Sequence, residues 1–305
     1  MEVSVFGKLP SQADFFRHGY PGPSAREGEK WFLEAYQMLR GLDLELPRTA
    51  VSFIFAHPEW PEVLVSTAVA SRDSVERPFP IMVFGALDAS LVAGRGWMLP
   101  VIFARFLDAA QAALYRAAAS GDGKRLVAEL ERLPVPDPAV FQRLGDAIYS
   151  NVVHTQQVQA FEARVFGSRD ARYYAYRTLR MACDQTRADV PGQASTVLEC
   201  PVIVDIDLVA WSALVARVLG RSLTAPMIWR MEPDPRLLLS LGPLPLQALH
   251  FLVDAGADSM RYWPLTTNSA SAMASARDTL AACTTWDRAG ETLHCLFERI
   301  AALNV

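Results

Sequence analysis

Three strand-like runs lie close together in the first third of the chain: "AVSFIFA" (50–56), "EVLVSTAVAS" (62–71) and "IMVFGALD" (81–88). Each is rich in β-branched, aromatic or alternating apolar residues, which is the pattern of a strand. The links between them, "HPEWP" (57–61) and "SRDSVERPFP" (71–80), are short. Parallel neighbours need a crossover of a dozen or more residues, so the three runs predict antiparallel pairing. The first link suits a hairpin with a widened loop. "EVSVF" (2–6) predicts one more strand.

Helices follow from the 3.6-residue period. Ser24 with Glu27 reads as a capping box ahead of a helix over 25–41, with Gly41 placed to stop it. Its apolar stripe, Trp31, Leu33, Ala35, Tyr36, Met38 and Leu39, predicts that it lies against the sheet. From about 100 to 190 the pattern is helical, including one stretch over 159–182, and the prolines of "LPVPDP" (133–138) break it. "TVLECPVIVDID" (196–207) reads as a strand and 208–220 as a helix ending on Gly220. "PMIWRM" (226–231) and "RLLLSL" (236–241) form a second hairpin across "EPDP", and helices, one over 289–303, close the chain. A sheet covered by helices is the economical packing of this order.

Charge and composition exclude several classes of function. The chain has 305 residues, 51% of them hydrophobic, and a chain of this size buries roughly 75% of its unfolded surface. With 29 basic and 33 acidic residues the net charge is −4, which supplies no general field for nucleic acid. Cys183, Cys200, Cys283 and Cys295 form no C-x-x-C pair and fit no zinc spacing. The opening "MEVSVFGKLP" lacks the features of a signal peptide, and the apolar runs are shorter than the roughly 18 residues of a membrane helix. The expectation is a soluble cytoplasmic protein with reduced thiols and no membrane insertion.

Catalytic and ligand motifs fail on inspection. Gly7-Lys8 is followed by Leu9 and preceded by no glycine at the phosphate-loop spacing. "GDGKRL" (121–126) places Arg125 where a hydroxyl belongs, and "GRGWML" (94–99) lacks the third glycine of a dinucleotide fingerprint. His18, His57, His154, His250 and His294 are scattered singly, with no metalloprotease or nucleophile-elbow pattern. Asp205 and Asp207 stand two apart at a predicted strand end, on one face, where a divalent metal could use them. The simpler reading is that Asp207 caps the helix starting at Leu208. No residue is assigned to catalysis, a cofactor or a metal. A hydrolase, built on this pair with a metal or on a triad assembled from scattered residues, is the alternative.

Three segments together carry a family resemblance: "GKLPSQADFFRHG" (7–19), "SRDSVERPFPI" (71–81) and "PMIWRMEPDPRLLLSLGPLPLQALHFLVD" (226–254). They resemble the TagF family, also called ImpM, with its opening G-K-L-P-S-x-G-D-F-hydrophobic-R, its S-x-D-x-x-G-R-x-F-P segment, and a late Trp-containing strand followed by a turn and a helix. Ala13 stands where the family usually has glycine, so a positive φ there would be costly. Glu76 replaces the glycine before Arg77. Met227, Ile228 and Arg230 surround Trp229 where the family favours Ser, Val, Trp and Thr, and the turn reads Gly242-Pro243-Leu244-Pro245.

The resemblance implies an accessory protein of the bacterial type VI secretion system: a post-translational repressor that is not an enzyme. It would act by contact with the forkhead-associated scaffold protein of that apparatus, a structural subunit of the apparatus being a further alternative. The phosphatase domain fused to some relatives has no counterpart here. The implied fold is α/β, a three-layer sandwich with a central mixed, largely antiparallel sheet covered by helices on both sides. Residues 1–255 would form it, with the helical middle inside, and 256–305 would pack on it as a helical extension. Residues implied for partner binding or loop organisation are Lys8, Asp14, Phe15, Arg17, Arg72, Asp73, Arg77 and Trp229. Phe15 and Phe16 are expected to anchor the first loop and Phe79 the second, leaving Lys8, Asp14 and Arg17 near the rim. Asp14 is expected to pair with an arginine of the second segment, with Arg77 as the candidate. Trp and Arg are frequent interface anchors, which singles out Trp229 and Arg77, although a Trp on a predicted strand is more often a core residue.

Overall fold

The computed structural model describes residues 1–19, 22–188, 195–220, 224–257, 259–283, 286 and 290–303. Its strands are β1 (Glu2–Gly7), β2 (Phe16–His18), β3 (Val51–Phe55), β4 (Glu62–Val69), β5 (Ile81–Asp88), β6 (Val197–Cys200), β7 (Met227–Arg230), β8 (Arg236–Ser240) and β9 (Tyr262–Pro264). They make one sheet in the order β2-β1-β5-β4-β3-β7-β8-β6-β9. Every neighbouring pair is antiparallel except β6 and β9. The three runs of the first third lie side by side as expected, with Ile54 opposite Val65 and Val65 opposite Gly85. The β7–β8 hairpin joins them through Phe53 opposite Ile228.

Helices cover both faces. They are α1 (Pro23–Gly41), α2 (Leu99–Ile102), α3 (Ala104–Ser120), α4 (Gly123–Leu130), α5 (Phe141–Tyr149), α6 (Val158–Val165), α7 (Arg169–Ala188), α8 (Asp205–Leu219), α9 (Ala248–Val253), α10 (Ala270–Cys283) and α11 (Leu293–Ala301). Strand alternation sends Phe53, Leu64, Phe84, Ile228 and Leu238 to one face, where Phe32 and Leu39 of α1 and Leu249 and Leu252 of α9 cover them. Ile54, Val65, Val83, Met227 and Leu239 point the other way, into a core shared with Phe106 of α3, Phe161 of α6, Tyr176 of α7 and Trp211 of α8. The architecture is the three-layer α/β sandwich that the resemblance implied, and it agrees with the sheet covered by helices expected from the order of elements. Among the described residues no single helix is long and apolar enough to cross a membrane.

Several local expectations are corrected. Helix α1 starts at Pro23 behind Gly22, and Ser24 is not its cap: the Ser24 hydroxyl is buried inside the helix with no hydrogen-bond partner. Proline is well suited to the first helical position, because the amide it lacks would have been unpaired there anyway. The helix does end at Gly41, but the left-handed residue beyond it is Asp43, at φ 59°. The stretch over 159–182 divides into α6 and α7, whose start is held by the Ser168 hydroxyl accepting from Ala171 N. The strand expected over 196–207 stops at Cys200, and α8 begins at Asp205. Residue 289, expected to open the last helix, lies outside the described residues, and α11 covers the remainder from Leu293.

Candidate functional site

At the end of β1 the chain turns on Gly7, whose φ of 147° suits glycine alone, and whose missing Cβ would lie 2.3 Å from the Pro80 carbonyl. That close approach brings the segment after β1 against the segment before β5. Lys8 turns inward, and its Nζ donates to Asp73 Oδ2 at 2.7 Å. Arg77 Nε donates to the same oxygen at 2.7 Å, while Asp73 Oδ1 accepts from Val75 N at 3.0 Å and Arg77 N at 2.9 Å. Three more bonds cross between the two segments. Ser71 Oγ donates to the Lys8 carbonyl at 2.7 Å, Ser74 N to the Gln12 carbonyl at 3.0 Å, and Arg77 Nη2 to the Ala13 carbonyl at 2.6 Å.

Aromatic packing completes the corner. Phe15 stacks on Phe6 at 4.9 Å and meets Phe79 edge-on at 5.0 Å, on the α1 face. Phe16, the first residue of β2, packs against the core of the opposite face. The two rings pin the loop to both sides of the sheet. Arg17 returns to the α1 face, its guanidinium 4.6 Å above the Phe6 ring and 3.7 Å from Glu29. Asp73 is fully buried. Burial pushes its carboxyl up, but the bonds from Lys8, from Arg77 side chain and backbone, and from Val75 N outweigh this and hold it well below the usual carboxylate range.

This geometry sorts the expected site residues. Lys8 is not at the rim but buried as half of an ion pair, and Asp73, with no exposed surface, can only organise the loops. Asp14 does not pair with Arg77: its carboxylate accepts from Phe15 N at 2.7 Å, and the acid that Arg77 meets is Asp73. The reason is reach, since Asp73 is four residues from Arg77 and already fixed beneath it. Arg17 and Arg72 keep exposed side chains, and Arg77 is exposed while its Nε and Nη2 are held in the clamp. Trp229 is a core residue of β7 with 5% of its surface exposed, and Arg230 beside it pairs with Asp234. Ala13 carries no positive φ. The left-handed residue of the motif is Glu76, at φ 64°, where the family pattern has glycine.

Ser71, Gln12 and Val75 complete the corner and were not singled out from the sequence. Ser71 could have been found as the first residue of the second motif. Nothing in the pattern marks Val75, an aliphatic residue 59% exposed between two arginines.

The acidic pair near residue 206 is arranged otherwise than expected. Asp205 and Asp207 lie in the first turn of α8 rather than on a strand, so they do not share a face. Asp207 accepts from Arg164 Nη2 at 2.5 Å and Nε at 3.0 Å, and from the amides of Ile203 and Val204 at 3.0 and 3.1 Å. It does cap the helix, from inside its first turn. Asp205 borders a cavity of about 340 Å³ with Asp108, Gln111, Tyr115 and Trp229, and burial, then Asp108 and Asp207, raise its carboxyl. Among the described residues no three His, Cys, Asp or Glu side chains are placed to hold a metal ion. The Cys183 thiol is pushed up to about 12 by burial and that of Cys200 well above its ordinary value, which makes both poor nucleophiles at neutral pH.

Fold and corner together define an α/β sandwich whose two motif loops are locked around a buried aspartate. Residues 4–133, which hold most of β1, all of β2 to β5 and the whole clamp, match the model of the TagF N-terminal domain family, described as type VI secretion system-associated. The third segment, 226–254, lies beyond the matched residues. The chain is also similar to the crystal structure of PA0076 from Pseudomonas aeruginosa PAO1, at 16% identity and a TM-score of 0.49, over 85% of this chain and 96% of that one. No curated protein sequence matches it.

Proposed function

We propose that this chain is a non-enzymatic, cytoplasmic regulator of type VI secretion, a post-translational repressor that works by contact with the forkhead-associated scaffold protein of the apparatus. The observation that carries the reading is the clamp. It spends a buried ion pair and three inter-loop bonds on fixing the outer shape of two motif loops, and leaves Arg17 and Arg72 exposed beside them. A surface ordered in advance loses less freedom when a partner binds, which raises affinity without any reaction. The commitment of Asp207 to Arg164 and two amides favours this over the hydrolase reading.

The test is capture of the purified scaffold by the full chain, with secreted effector measured in cells lacking or overproducing the protein. The reading expects saturable capture, and secretion that rises on deletion and falls on overproduction. Absence of capture together with unchanged secretion overturns it. Arg17→Glu is the informative charge reversal and should weaken capture while the protein stays folded, because Arg17 lies outside the clamp. Arg77→Glu would also break the loops apart.

A further inference from the structure

We infer that the tip of the loop between β4 and β5 is the part that enters the partner, with Val75 seated in an apolar pocket whose rim carries carboxylates that meet Arg72 and Arg77. This rests on the regulatory reading above and names the contact that it requires.

Val75 is 59% exposed, within the run Arg72-Asp73-Ser74-Val75-Glu76-Arg77. Loops are generally more mobile than the elements they join, and this turn is closely held. The amides of five consecutive residues are all bonded: Asp73 N to the Arg77 carbonyl, Ser74 N to the Gln12 carbonyl, Val75 N and Arg77 N to Asp73 Oδ1, and Glu76 N to the Asp73 carbonyl. The post at the centre is the Asp73 carboxylate, fixed from below by Lys8. Glu76 sits at φ 64°, a backbone conformation that a residue with a Cβ keeps only where its surroundings hold it there. The fold therefore presents one branched aliphatic group on a rigid support, a form in which apolar burial is gained with little ordering to offset it.

The flanking charges select the partner's chemistry. Arg72 and Arg77 have side chains 62% and 60% exposed. Arg72 donates to Glu76 through Nη1, and Arg77 uses Nε and Nη2 inside the clamp, so each guanidinium keeps N–H groups for an acceptor outside the molecule. With Lys8 buried beneath, the cations at this tip number three, Lys8, Arg72 and Arg77, against the carboxylates of Asp73 and Glu76. An acidic rim around an apolar pocket matches that excess, and a basic rim would be repelled.

The experiment measures binding of the purified scaffold protein to the full chain carrying Val75→Asp, Val75→Ala or Val75→Ile, each with its melting temperature. The expected result is a loss of at least about tenfold for Val75→Asp, a smaller loss for Val75→Ala and retention for Val75→Ile. Melting temperatures should stay within about 2 °C, because the side chain is exposed and the loop is held by other atoms. Should Val75→Asp melt early, Val75→Ser is read in its place. Wild-type binding that Val75→Asp, or Val75→Ser in its stead, retains within about twofold overturns the inference and leaves the regulatory reading standing. A wild-type chain that fails to bind the scaffold overturns both.

Discussion

Lys8 and Asp73 stand 65 residues apart in sequence and meet at 2.7 Å, with the carboxylate fully removed from water. This contact, rather than one between Asp14 and Arg77, joins the two motif loops. Removing one partner of a buried pair leaves the other charge uncompensated. Lys8→Met should therefore lower unfolding stability by about 3 kcal/mol in a urea titration. A double-mutant cycle with Asp73→Asn should be strongly non-additive, whereas a cycle on Asp14 and Arg77 should be close to additive. Strong coupling in the second cycle and none in the first would reverse this assignment.

The clamp carries a pH signature. The Asp73 carboxyl is held below its ordinary value of about 3.9 in the folded chain. A depressed carboxyl contributes stability that is present above the unfolded value and is lost as pH falls through the folded one. The gap in melting temperature between wild type and Asp73→Asn should be full at pH 5 to 7 and should close on acidification below about pH 4. A gap that widens in acid would mean that the carboxyl is held protonated instead.

The broad plan was legible because it rests on local rules. Alternation in 51–55, 62–69 and 81–88 together with short links leaves antiparallel pairing as the practical choice, and the sheet order confirms it. The motif residues were legible as a group, but not their partners. Lys8 looks like a surface lysine until Gly7 brings β1 against Pro80, and that close approach is a tertiary event. Trp229 was drawn toward the interface by its residue type, while its place on β7, opposite Ser52 and next to a buried hairpin, put it in the core. Very short strands escaped for a different reason. The three residues of β2 and of β9 are too few to show a period, and their pairing is decided by neighbours distant in sequence.

Glu76 predicts a gain. A side chain at φ 64° is strained relative to glycine, and the pair that Glu76 makes with Arg72 is exposed on both sides. Exposed pairs add little, so Glu76→Gly should stabilise the chain by about 0.5 to 1 kcal/mol, a rise visible by differential scanning calorimetry. Glu76→Ala removes the same ion pair without relieving the backbone and should not stabilise. If alanine and glycine gave the same rise, the gain would belong to the charge and not to the conformation.

Asp207 separates the regulator from the hydrolase. Its oxygens are occupied by Arg164 and by the amides of Ile203 and Val204, and the residue is completely buried. A group so engaged holds α8 in place, and its loss strands the Arg164 guanidinium and the amides at the helix start together. Asp207→Ala should therefore cost about 3 kcal/mol in denaturant stability whether or not a divalent ion is present. An ion that binds only the native state must raise the melting temperature. Millimolar Mg²⁺, Mn²⁺ or Zn²⁺ should accordingly leave the wild-type melting curve where it was. A rise with any of the three that Asp207→Ala abolishes would place a cation at this helix start and return the hydrolase reading to the foreground.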